Sequence, residues 1–452
     1  MASYRPPGVT VKFVENPSTA LLPTGLRIPC IIATGLTTKL VKNVQVTRGT
    51  GGGGTADTIP DTSLAADVSS VVSVGDFPDL KQYVENTDWR QVGNTILWIS
   101  NGQAPTGGNA YYVTYREPKE TADYNSGVLY TSLQDVANDF GDPLISGVLN
   151  PITAAAKLCF DNGAPVVMLI QPTTGSQSDL QTAIDSAKNE DIDVLVVPQA
   201  CNTTLDNYVK NHVLTESSPQ VRHERVWFRS SDGMSDAVTT VRATAVGVKH
   251  ERVTVLAPPA FVSTFKDATT TLDQDLLLPS GYLAAAYAGL VCNPVYDAAT
   301  PLTRKSLVSV KNLSTFDYTQ VNKDQLGGDG VTVIENNKGD IRIRHALTTD
   351  PTNVNTLTQS VVFIKDNIRK DLRGLLDSAY IGSKIDDSLK SRVAATVGAF
   401  LRQKVRDTII KDYRNVKVNQ DANDPRILTV TFDLSPVYPA EFLDITISLF
   451  VS

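Results

Sequence analysis

The sequence predicts an α+β multidomain protein: an α/β core on a mostly parallel sheet, an inserted β-rich domain, and a C-terminal helix-plus-strand domain with extended terminal arms. Three observations carry this. From Tyr124 to Pro259 short apolar runs alternate with helical patterns, the mark of a parallel sheet covered on both faces. From Leu36 to Lys119 the chain turns to Thr, Val, Gly and Asp, with strand-like pieces between turn signals and few helical periods. Near each end lies a short strand whose apolar residues strictly alternate with polar ones. A length of 452 residues exceeds what one core usually serves, so several domains are expected.

In chain order, Val9, Val11 and Phe13 alternate with Thr10 and Lys12 between Pro-rich breakers, a first strand. Pro29–Thr34 reads as a buried strand, and Val41–Val46, Thr95–Ser100 and Tyr111–Tyr115 as strands of the β-rich insert. Asn150-Pro151 can cap and open a helix that Gly163 closes. Val166–Ile170, Val194–Val197, Arg225–Phe228 and Arg252–Leu256 are the core strands, with helices over Asp179–Lys188 and Met234–Lys249. Further on, Val361, Ile364, Ile368, Leu372 and Leu375 mark one helix face. Leu389, Val393, Val397, Leu401, Val405 and Ile409 mark a longer one. Two alternating strands close the sequence, one through Leu428, Val430, Phe432 and Leu434, the other through Leu443, Ile445, Ile447 and Leu449. The boundaries drawn are 1–23 for an arm and linker, 24–36 with 120–345 for the core, 37–119 for the insert, 346–434 for the C-terminal domain and 435–452 for a second arm.

The composition excludes several functions. With 41 basic against 48 acidic side chains, no nucleic-acid-binding surface is indicated. No apolar run approaches a membrane span, and the first residues lack the apolar stretch of a signal peptide, so folding in a cytoplasm is expected. The four cysteines and four histidines are scattered without metal-ligand spacing, and no metal or cofactor is expected.

Chemical motifs are weak. Gly49–Gly54 satisfies G-x-G-x-x-G, but Thr55–Pro60 carries no helical period to aim amide dipoles at a pyrophosphate. A surface loop is the better reading. Ser230, Ser231 and Asp232, near His223 or His250, are the best available nucleophile set, and loop polarity explains them as well. Arg392, Arg402, Lys404, Arg406 and Lys411 form a basic stripe on the long helix, either a solvated face or a grip for an acidic partner.

The terminal strands say most. An isolated strand cannot bury its apolar face alone. Ordering it costs about 1–2 kcal/mol per residue against about 1 kcal/mol per hydrogen bond gained. It must join a sheet, and pattern alone leaves open whether that sheet is its own or a neighbour's.

PPGVTVKFVE at the start resembles the opening of phage tail sheath proteins. LPSGYLAAAYAGLVCNPVYDAATP (Leu278–Pro301), VTVIENNKGDIRIRHALTTD (Val331–Asp350) and SPVYPAEFLDITISL (Ser435–Leu449) are similar to further segments of that family, in the same order. The resemblance implies a non-enzymatic subunit of a contractile sheath, stacked in hexameric rings around a tail tube, with baseplate and terminator proteins as further partners. It also implies assembly in the bacterial cytoplasm and residence in the virion. Residues 346–434 would face the tube through the basic stripe. Val9, Val11, Phe13, Leu443, Ile445, Ile447 and Leu449 would thread into neighbours, with Glu15–Pro23 and Ser435–Glu441 as linkers giving the reach. The sheath of a related non-viral injection device and an α/β hydrolase-like enzyme are the alternatives.

Overall fold

The structure, a computed structural model, describes residues 26–50, 54–59, 70–75, 82–199, 202–231, 233–313 and 318–441. It is a mixed α/β protein of several packed units. Strand β1 (Pro29–Ile32) is wholly buried and is an interior strand of the largest sheet, third from one edge. The chain then leaves that sheet for seven strands of a separate unit: β2 (Thr38–Thr47), β3 (Ala56–Thr58), β4 (Ser70–Gly75), β5 (Gln82–Tyr83), β6 (Trp89–Val92), β7 (Thr95–Trp98) and β8 (Ala110–Pro118). They form a four-stranded sheet in the order β2-β8-β4-β5 and a three-stranded sheet in the order β3-β7-β6. Their core is aromatic: Tyr83 and Tyr111 meet Trp98 edge to face. One buried carboxylate organises it, since Asp57 accepts from Trp98 Nε1 at 2.7 Å, Tyr111 Oη at 3.1 Å and the Gly49 amide at 2.8 Å. The first glycine of the Gly49–Gly54 run is thus bound to a side chain and opens no helix; residues 51–53 lie outside the described residues.

The main sheet resumes with β9 (Val128–Tyr130). After α1 (Leu133–Phe140), the small hairpin β10 (Leu144–Ile145) and β11 (Val148–Leu149), and α2 (Pro151–Asp161), strands and helices alternate. They are β12 (Val167–Ile170), α3 (Gln177–Ser186), β13 (Val194–Val196), α4 (Thr203–Glu216), β14 (Val226–Arg229), α5 (Val238–Gly247) and β15 (Val253–Ala257). A second hairpin, β16 (Ala260–Lys266) with β17 (Asp273–Pro279), leads into α6 (Ser280–Val291), α7 (Gln320–Gly328), β18 (Val331–Asn337) and β19 (Asp340–Ile343). The sheet order is β19-β18-β15-β14-β13-β1-β12-β9, parallel except for the edge strands β9 and β19. Its interior strands are continuous apolar runs because both faces are covered. Helices α3, α4, α5 and α7 pack on one face, α1, α2 and α6 on the other.

Helix α6 is buried on every side, which only small residues at its contacts permit. Gly281 presses on the Pro198 carbonyl and Gly289 on the backbone of Cys159 in α2, where a Cβ would collide. Asn150 precedes α2 but does not cap it; its amide donates to the Phe140 carbonyl at 2.6 Å instead. The helix expected over Met234–Lys249 begins only at Val238, since Asp236 holds the Gly233 amide at 2.9 Å in a turn.

The C-terminal third contains α8 (Val354–Leu357), α9 (Gln359–Tyr380), α10 (Asp387–Arg406), β20 (Ile410–Gln420) and β21 (Leu428–Pro436). The first turns of α9 bury Val362 and Phe363 in the main core, whereas Ile364 and Ile368 join the C-terminal cluster with Leu389, Val393, Val397 and Leu401. Four α9 side chains reach back to the strand-entry side of the sheet. Asp366 holds Arg252 through two bonds of 2.8 Å, Lys370 holds Asp193 at 2.7 Å, and Lys365 and Arg373 hold Glu251 and Glu224.

Candidate functional site

The β20–β21 ribbon is the feature most suited to a partner. Its inner face, Tyr413, Val416, Val418, Leu428, Val430, Phe432 and Leu434, is only partly buried against α9 and α10. Tyr413 Oη anchors it by donating to the Gly398 carbonyl at 3.2 Å. Register slips between Ile410 and Asp412 and between Arg414 and Lys417, with Asn415 at φ +57°, twist β20. Among the described residues neither strand has a second neighbour. Two strands are marginal alone, and each outer edge presents unpaired amides and carbonyls. Such edges accept an added strand.

The predicted basic stripe divides. Arg392, Arg402 and Arg406 lie on one exposed face of α10, three positions within a narrow arc at 100° per residue. Lys404 points away from them: its ammonium donates to Asp371 at 2.6 Å and Asn367 at 3.0 Å on α9. Lys411 is not helical at all. The helix ends at Arg406, and Thr408 at φ +57° turns the chain into β20. The expected apolar stripe is cut short for the same reason, with Ile409 beyond the helix. Lys411 instead borders a hollow of about 400 Å³ with Val405, Ile410, Pro436, Val437 and Tyr438.

The strand residues Val9, Val11, Phe13, Leu443, Ile445, Ile447 and Leu449 lie outside the described residues. The linker Ser435–Glu441 is described, and it is held rather than loose. Ser435 and Pro436 belong to β21, Tyr438 Oη donates to Asn355, and Glu441 pairs with His345 at 3.4 Å.

The alternative nucleophile set is not assembled. Ser230 and Ser231 lie at the carboxyl end of β14, where the Ser231 hydroxyl donates to the Gly233 carbonyl at 3.2 Å. His223 and His250 precede β14 and β15, at the opposite edge of the sheet, about 13 Å away for a four-residue strand. Asp232 is outside the described residues. The crevice beside β1, where doubly wound sheets take ligands, is filled by the chain itself. Gln199 donates to Thr34 at 3.2 Å, Gly281 abuts Pro198, and Lys119 bonds Gln171 while lying 4.2 Å over Phe140. Burial lowers the Lys119 pKa to about 8. The one buried histidine on α4, His212, accepts from the Arg225 guanidinium at 3.0 Å; burial and that charge hold its pKa down to about 4. It is a neutral structural acceptor.

Residues 357–450, beginning two residues before α9, match the phage tail sheath C-terminal domain family. This segment therefore resembles the C-terminal domain of tail sheath proteins. Residues 26–136 match a domain of unknown function, DUF4815. The sheath assignment extends by similarity: the tail sheath protein of Mycobacterium phage Bxz1 is 27% identical over 368 residues, 78% of this chain and 61% of that protein. The chain thus spans about three-fifths of the length of this curated relative. The helical sheath of the anti-feeding prophage in its contracted state has the same fold at a TM-score of 0.60 and 15% identity, over 99% of both chains. A sheath tail protein from Listeria innocua reaches 0.51 at 11% identity, over 92% of this chain and 93% of its own. The mixed α/β architecture with a mostly parallel sheet is therefore that of sheath subunits.

Proposed function

We propose that this chain is the structural subunit of a contractile phage tail sheath. It stacks in hexameric rings around a tail tube and contracts to drive the tube through the host envelope for genome ejection. The single observation that carries this is the two-edged β20–β21 ribbon inside a domain that matches the sheath family. The strands at Val9–Phe13 and Leu443–Leu449 are the complementary halves: each needs a sheet, and a neighbour's ribbon offers an edge for it. Arg392, Arg402 and Arg406 are the residues assigned to tube contact. Residues 37–119 form an outer unit, with 24–36 and 120–345 as the core. Baseplate and terminator proteins would cap the polymer, which assembles in the host cytoplasm and ends up in the virion.

Imaging the purified protein tests this directly, since an open helical polymer is expected and a closed small oligomer is not. Deleting residues through Asn16 is expected to leave a folded protein unable to form long tubes; normal tubes from that truncation would sink the arm assignment. A second reading, the sheath of a non-viral injection device, is supported by the fold shared with the anti-feeding prophage sheath. Capsid genes beside the coding sequence would favour the phage reading, and their absence the other.

A further inference from the structure

The five residues after β21 cross from the C-terminal unit back to the α/β core. They are gripped at both ends of the crossing, by Tyr438 on Asn355 of α8 and by Glu441 on His345 just after β19. The Glu441 side chain is only 15% exposed and that of His345 24%. One oxygen of Glu441 faces His345, and the other is buried without a hydrogen-bond partner among the described residues. Taking a carboxylate out of water and leaving one of its oxygens unsatisfied is unfavourable. A simple tether would leave that side chain in solvent. What the arrangement achieves is a fixed position for the chain at Glu441.

That position matters because the alternation of apolar and polar residues begins at Leu443, just beyond the described residues. A chain held only at Tyr438 would let Leu443 wander up to about 17 Å from that point, whereas one pinned at Glu441 as well allows about 7 Å. The volume searched falls by about 15-fold, and the effective concentration of the strand at any edge placed there rises by the same factor. We propose that the Glu441–His345 pair is a latch that fixes the exit point of the C-terminal strand, with His345 as a positioning residue that itself touches no neighbour. The inference rests on the sheath reading, in which that strand joins a second copy.

The test uses the full chain and measures the concentration above which tubes pellet and are seen by negative-stain microscopy. His345→Ala and the isosteric Glu441→Gln are each expected to raise it about fivefold or more, up to the 15-fold limit set by the search volume. The charge-swapped pair, His345→Glu with Glu441→Lys, is expected to bring it back towards the wild type. Single variants that polymerise at the wild-type concentration, or a swap as poor as the singles, overturn the latch. Wild-type protein that forms no tubes at any concentration overturns the sheath reading instead. A monomer measurement guards against misfolding: cleavage after Glu441 by a glutamate-specific protease should quicken several-fold in His345→Ala. An unchanged cleavage rate also overturns the latch.

Discussion

Replacing Asp366 by Asn keeps the shape of the side chain and removes its charge, which isolates what the α9 contact contributes. The Arg252 guanidinium is 5% exposed, donates to both Asp366 oxygens at 2.8 Å and reaches the Arg225 carbonyl at 3.2 Å. Burial works to lower the Arg252 pKa, but the bonds and charge of Asp366 outweigh it and raise the value. With Asn at 366 the cation stays buried and loses its counter-charge, a situation that costs about 3–5 kcal/mol. Against a total stability of about 5–15 kcal/mol, that is a large fraction. Urea denaturation followed by tryptophan fluorescence reads it, because Trp227 is fully buried on β14 and its amide donates to the Arg252 carbonyl just before β15. The double substitution Arg252→Met with Asp366→Leu removes both charges and is expected to recover most of the loss. A loss under about 1 kcal/mol for Asp366→Asn, or a double variant no better than the single, refutes the reasoning.

Lys404→Ala is expected to lower stability by about 1 kcal/mol through its lost bonds to Asp371 and Asn367. Arg402→Ala and Arg406→Ala should stay within about 0.5 kcal/mol in the same melt yet weaken sedimentation with purified tube. The buried, neutral His212 makes stability depend on pH. Its folded pKa lies below the unfolded one, so its contribution is complete above about 6.5 and is lost as pH falls through about 4. The total is roughly 3 kcal/mol, with Arg225, Asp185 and Lys188 as the facing charges. Urea midpoints across that window should fall, and His212→Leu should flatten the fall. Gly289→Ala is expected to cost about 3 kcal/mol by forcing α6 off the Cys159 backbone. Gly247→Ala, with nothing within 4 Å of the new atom, should cost nothing or stabilise by about 0.5 kcal/mol in thermal denaturation.

The core strands were readable because burial on both faces leaves unbroken runs such as Val167–Ile170 and Val253–Ala257. The long helices were readable because one-sided burial imposes a 3.6-residue period. Strand β20 was missed: Ile410–Gln420 mixes Lys411, Asp412, Arg414 and Asn415 into its pattern, and two register slips break the alternation. The end of α10 was missed because Val405 and Ile409 keep helical spacing across a turn that contains the left-handed Thr408. The tie of Glu441 to His345 and that of Asp366 to Arg252 span long stretches of chain, and no local pattern carries them. The glycines of α6 gave no hint of helix–helix contact either, since close approach is a property of two segments at once.

Helix α9 lends its opening turn to one core and its middle to another, and this bears on how such genes can recombine. The sheath-family match begins at residue 357, two residues before the helix. A crossover there would carry Val362, Phe363 and Gln359 into a foreign core. Gln359 accepts from the buried Tyr287 hydroxyl at 2.5 Å and donates to Thr254 at 3.0 Å. A chimera lacking Tyr287 and Thr254 would inherit a buried amide with nothing to bond. The seam that looks cleanest in the sequence is one where the two halves must be inherited as a matched pair.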